Sequence, residues 1–176
     1  MPARLVIVSL VAGCGAAAST PAAPTLPAAT TRCFEGTSTI GGQATPALLR
    51  RTVDPAQARV TEDITGMGRD AVVDFHVEMQ VATDGNFTMR ETGGAFTGSG
   101  HFTAGEPWAW TGWQSSSKGP PEQGGWLATS TDTLAGASLT AHKRVTFGEQ
   151  VMELEEQFAE VTCDVYASRR AALHGQ

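Results

Sequence analysis

A chain of 176 residues with 41% apolar side chains and 17% charged ones has the length and composition of one folded domain with an ordinary core. Its formal net charge of −6 excludes a nucleic-acid partner, whose phosphates demand clustered Lys and Arg. Three cysteines, Cys14, Cys33 and Cys163, are an odd number that needs explaining.

The chain begins MPARLVIVSLVAGCGAAAST. Arg4 precedes an apolar run over residues 5–12, and small residues follow, which is the order of a secretory signal. The run is far shorter than the ~20 residues that cross a bilayer. Val11-Ala12-Gly13-Cys14 resembles a bacterial lipobox. The resemblance implies that residues 1–13 are a signal peptide and that Cys14 becomes a lipid-modified N-terminus. Partnership with a membrane through acyl chains follows, each buried CH₂ contributing about 0.8 kcal/mol. Glycine after the cysteine resembles lipoproteins sorted to an outer membrane. The alternative is cleavage after Ala16-Ala17-Ala18, releasing a soluble secreted or periplasmic protein.

Residues 14–32 read as a tether, with Pro21, Pro24 and Pro27 favouring extended chain. If lipid occupies Cys14, Cys33 and Cys163 are the leftover pair, and in an oxidising compartment a disulfide is their default. Closing so long a loop is worth about 4–5 kcal/mol in the chain-entropy picture. Neither cysteine has the neighbours of a metal site.

The folded domain is expected over residues 33–170, with 171–176 as a disordered tail. Its dominant signal is alternation. Val73, Phe75, Val77, Met79 and Val81 alternate with Asp74, His76, Glu78 and Gln80; Asp84-Gly85 then supplies a hairpin turn before Phe87 and Met89. Strands are also predicted over 33–40, 48–53, 58–65, 95–103, 108–115, 125–133, 138–147 and 150–158. A further strand over 161–168 is favoured by its all-β context. Val151, Leu154, Phe158, Val161 and Val165 also fit a helix, and Glu156 would point inward from a strand. Many short strands at even spacing predict an all-β antiparallel meander closing into a barrel or half-barrel. A closed meander makes its first and last strands neighbours, which would bring Cys33 and Cys163 within reach. A terminal helix folded back on the first strand would do the same.

The run of hairpins and the tryptophan-bearing middle strand resemble a calycin or lipocalin-like barrel, as found in small bacterial lipoproteins. Gly36-Thr37-Ser38 stands where lipocalins carry Gly-x-Trp on the first strand. The resemblance implies a small hydrophobic ligand held inside the barrel.

The stretch EPWAWTGWQSSSKGPPEQGGW holds all four tryptophans, Trp108, Trp110, Trp113 and Trp126. Trp108, Trp110 and Trp113, with Phe75 and Met79 on the apolar strand face, are the candidate ligand-binding residues. The competing reading makes Trp108 and Trp110 core and leaves Trp113, opposite in phase, exposed. Asp74, His76 and Glu78 lie roughly 7 Å apart at alternate positions. That is too wide for donors on a flat strand to converge on one ion, so a solvated face is expected. Glu153, Glu155, Glu156 and Glu160 lack the loop spacing of a calcium site. No P-loop, dinucleotide fingerprint, His-Glu-x-x-His or nucleophile elbow occurs, so neither a cofactor nor a catalytic constellation is implied. The expected protein is a lipid-anchored envelope barrel binding a small hydrophobic ligand. The alternatives are an envelope interaction protein with a filled barrel and, further off, an enzyme.

Overall fold

The computed structural model describes residues 26, 28–68, 71–93, 96–102, 108–114 and 126–175, with backbone alone at Phe102 and 108–114. The signal segment, Cys14 and most of the tether lie outside the described residues. Ten strands succeed one another: β1 (Thr30–Ile40), β2 (Gln43–Asp54), β3 (Arg59–Met67), β4 (Val72–Val81), β5 (Asn86–Glu91), β6 (Thr97–Phe102), β7 (Trp108–Gln114), β8 (Leu127–Ala135), β9 (Ser138–Phe147) and β10 (Gln150–Val161). Each pairs antiparallel with the next. Pairing of β1 with β10, from Cys33↔Val161 to Ile40↔Leu154, closes the barrel. Closure leaves no open sheet edge among the described strands. Ten strands are two more than the eight of lipocalins, and a larger strand number widens the interior.

Local chemistry sets the hairpins. At the β4–β5 turn Gly85 takes φ +85°, and the Asp84 carboxylate accepts hydrogen bonds from the Asn86 backbone N–H at 3.0 Å and side-chain amide at 2.7 Å. Along β4, Val77 and Met79 are fully buried, as the alternation requires. They pack with Val53, Val60, Val81, Phe87, Met89 and Phe96 in one interior cluster. A second cluster of Phe34, Ala47, Leu49, Leu139 and Phe158 straddles the β1–β10 closure. Each fully buried side chain of this size is worth about 1.5–3 kcal/mol.

One expectation is corrected. Residues 161–168 do not form a strand; β10 ends at Val161, and Cys163–His174 is a helix, α1. The Thr162 hydroxyl caps it, accepting from the Val165 N–H at 3.3 Å. Residues 171–174, expected in a disordered tail, are its last turn. The helix lies outside the barrel, where Tyr166 and Leu173 pack with Cys33, Leu48 and Val161. The Cys33–Cys163 disulfide, Cα–Cα 5.2 Å, fastens its first residue to β1. Arg169 reaches Glu35 at 3.2 Å and Arg170 reaches Asp74 at 2.9 Å. Among the described residues no helix is long and apolar enough to cross a membrane.

Candidate functional site

Alternation turns one set of residues inward on every strand, and that set is not uniformly apolar. Arg51 on β2, Glu62 on β3, Ser130 and Asp132 on β8, Lys143 on β9 and Glu156 on β10 all occupy inward phases. Arg51, Glu62, Ser130 and Asp132 are buried. Two hydrogen-bonded ion pairs knit the layer together: Arg51 Nε donates to Glu62 Oε1 at 2.6 Å, and Lys143 Nζ donates to Glu156 Oε2 at 2.6 Å. Asp132 sits between them. Its Oδ1 accepts the Ser130 hydroxyl at 2.7 Å, and Arg51 Nη2 stands 3.7 Å from its Oδ2.

Burial sets the protonation of this layer. Desolvation pushes Asp132 up to about 6; Lys143 and Arg51 oppose the shift, and Glu62 adds to it. For Lys143, burial works against the ammonium. The attraction of Glu156, Asp132 and Glu62 outweighs it and holds the lysine above its ordinary value.

Above and beside this layer the interior is hollow. A cavity of about 380 Å³ reaches from Glu62, Asp132, Lys143 and Glu156 to an opening where Ile40 and Val73, each over a third exposed, line it. Its size falls in the range of small-molecule sites. One wall is aromatic. Phe75 and Phe96 have ring centroids 6.0 Å apart, and Phe96 meets Trp126 at 5.9 Å in an edge-to-face arrangement.

Of the five residues singled out from the sequence, Phe75 lines this cavity. Met79 is fully buried in the packed cluster and does not line it. Trp108 pairs across the sheet with Phe102 and Asp132, Trp110 with Gly100 and Ser130, and Trp113 with Gly98 and Ala128. The register slips between Trp110 and Trp113, so strict alternation does not run through that strand. The three side chains lie outside the described set. Trp126, Glu62, Asp132, Lys143 and Glu156 were not chosen from the sequence. The usable signal was the phase of Asp132, two residues beyond Ser130 and four beyond buried Ala128.

On the outer face, Asp74, His76 and Glu78 do not turn toward one another. His76 Nδ1 lies 2.7 Å from Asp63, Asp74 meets Arg170 and His174, and Glu78 meets Arg90 at 3.0 Å. Partial burial would raise Asp63, but hydrogen bonds from His76 and Arg50 outweigh it and hold its pKa below the ordinary value. His142, on β9, pairs with Glu153 at 3.4 Å and is exposed. His76 and His142 therefore stand on separate strands, outside the barrel. The acidic run divides the same way. Glu153 and Glu160 meet Arg144 and Arg32 on the exterior, whereas Glu156 lines the cavity.

The chain matches no protein-family model, no curated protein and no solved structure. The site's geometry is thus the basis for a functional reading. An enclosed apolar space ending in a charged layer can desolvate a hydrocarbon or aromatic body and meet a polar group at its inner end.

Proposed function

We propose that the protein is a lipid-anchored cell-envelope module that holds a small, largely apolar ligand inside its barrel. The observation that carries this reading is the 380 Å³ cavity walled by Ile64, Phe75, Phe96 and Trp126. Packed domains retain few voids larger than a water molecule, and this one opens at a rim of apolar side chains. Anchoring rests on the likeness of Val11-Ala12-Gly13-Cys14 to a lipobox. The first strand starts beside the β8–β9 turn, where Arg32 donates to the Gly136 carbonyl at 2.6 Å. Ile40, which lines the opening, is at the strand's other end.

Trp126 provides the test. Titration with decanol should shift the intrinsic tryptophan fluorescence saturably, and Ala141→Phe, which fills the cavity from β9, should abolish the shift without unfolding the protein. Absence of any response across alcohols and aromatic probes would leave a barrel whose function lies in surface contacts. Acylation of Cys14 is checked by the mass of the native N-terminal peptide; a mature chain starting near residue 19 would overturn the anchor.

A further inference from the structure

We infer that the cavity is built for a cationic amphiphile, a protonated amine on an apolar body, and discriminates against fatty-acid carboxylates. The inference rests on the cavity reading above and adds the chemistry of the ligand's polar end.

The charged layer carries the argument. Among the described residues facing it, Arg51 and Lys143 supply two positive charges, while Glu62, Asp132 and Glu156 supply three negative ones. Both bases already have a carboxylate at 2.6 Å. An incoming ligand carboxylate would compete with Glu62 or Glu156 for those bases and add a fourth anion to a space largely removed from water. Charges interact far more strongly there than in solvent. Among the described residues, Asp132 is the carboxylate of this layer with no base at hydrogen-bonding distance. Its hydrogen bond comes from a neutral hydroxyl, and among the described residues its nearest cationic nitrogen, on Arg51, is 3.7 Å away. It is 96% buried, lines the cavity and has lone pairs to offer an N–H donor. An ammonium placed against Asp132 would give it a charged partner at hydrogen-bonding distance, closer than the Arg51 nitrogen at 3.7 Å, and would balance the two cations and three carboxylates named above. The aromatic wall of Phe75, Phe96 and Trp126 suits the same ligand, since ring faces attract cations as well as covering apolar surface.

Protonation gives the inference a signature. Asp132 is raised to about 6, so it is mostly ionised at pH 7 and mostly neutral at pH 5. Arg51, Glu62, Lys143 and Glu156 face it from β2, β3, β9 and β10.

The experiment titrates the full-length mature protein with decylamine, decanol and decanoate below their micellar concentrations, following tryptophan fluorescence. Decylamine should bind most tightly and decanoate least. Decylamine affinity should fall about tenfold from pH 7 to pH 5, as the ionised fraction of Asp132 falls, while decanol affinity stays level. Asp132→Asn, which keeps the shape and the Ser130 contact, should remove both the amine preference and the pH dependence, so that decylamine binds no more tightly than decanol to the same variant at pH 7 and pH 5. Equal or stronger binding of decanoate, or an amine preference that survives Asp132→Asn, overturns the charge assignment and leaves the cavity reading standing. Failure of all three to bind overturns both.

Discussion

Lys143 Nζ lies 2.6 Å from Glu156 Oε2 inside the barrel, joining β9 to β10 through their inward-facing side chains. The two residues are not direct register partners; Lys143 faces Leu154 and Glu156 faces Ala141, so the pair is diagonal. Removing one member strands the other charge in a partly dehydrated space. Lys143→Met should therefore destabilise the protein by about 3–5 kcal/mol. The double variant Lys143→Met/Glu156→Leu should recover part of that loss, because paired removal leaves neither Lys143 nor Glu156 without its partner, although Asp132 still loses the lysine's attraction. Urea unfolding of the two singles and the double gives the coupling directly. Additive losses would show that the pair does not act as a unit.

That pair also marks where the sequence stops being legible. The hairpins could be read because β-strand alternation and Asp84-Gly85 are local signals, spanning a few residues. The inward phase of Glu156 could be read too, but it counted against a strand, since a lone inward glutamate violates the apolar rule. Its partner lies thirteen residues away on the preceding strand, and only the diagonal register shows the violation to be satisfied. Residues 161–168 failed for the opposite reason. Their apolar spacing fits both periods, and the deciding feature is one hydroxyl, Thr162, capping α1. The cavity itself has no sequence signal. Emptiness depends on how ten strands space their side chains around a closed interior, and no window of sequence encodes it.

Gly36 stands on the closing seam opposite Phe158. A Cβ built there would come within 2.7 Å of the Phe158 Cα and closer still to the Gln157 carbonyl, both backbone atoms that no rotamer change can move. Gly36→Ala should cost about 3 kcal/mol, the upper end of ordinary overpacking. The amides of β1 and β10 should lose exchange protection ahead of those in β4. Gly66→Ala is the control, since no atom lies within 4 Å of the added methyl. Equal melting temperatures for the two variants would show that the seam can relax.

The Cys33–Cys163 bond spans 130 residues yet joins only α1 to β1. Loop-closure entropy sets an upper figure of about 4–5 kcal/mol for its loss. The structural effect should be local. Tyr166, Leu173, the Arg169 and Arg170 ion pairs and the His174 contact with Asp74 are among what would remain to hold the helix. In Cys33→Ala/Cys163→Ala, helix amides should exchange early while β4 to β9 keep native protection at reduced global stability. Loss of all protected amides together would mean that the helix is integral to barrel closure.

Asp132 is raised from 3.8 to about 6 because burial penalises its charge more than Arg51 and Lys143 relieve it. The native state therefore binds a proton more tightly than the unfolded chain. This group's contribution is most favourable below pH 3.8 and is lost as pH rises through 6. That difference corresponds to about 3 kcal/mol. Asp63 and Asp74, both lowered, act in the opposite direction, favouring the fold at higher pH. They are shared by any Asp132 variant and cancel in a difference. Asp132→Asn mimics the protonated carboxyl and leaves two cations facing two carboxylates in the layer. It should therefore be more stable than the parent at pH 7 by up to that amount. The advantage should shrink through pH 6 to 4 and vanish below. Chemical unfolding of both proteins at pH 4, 5, 6 and 7 measures the difference. A gap that stays constant with pH, or an asparagine variant that is weaker at pH 7, would mean that Arg51 and Lys143 require the third carboxylate more than burial penalises it.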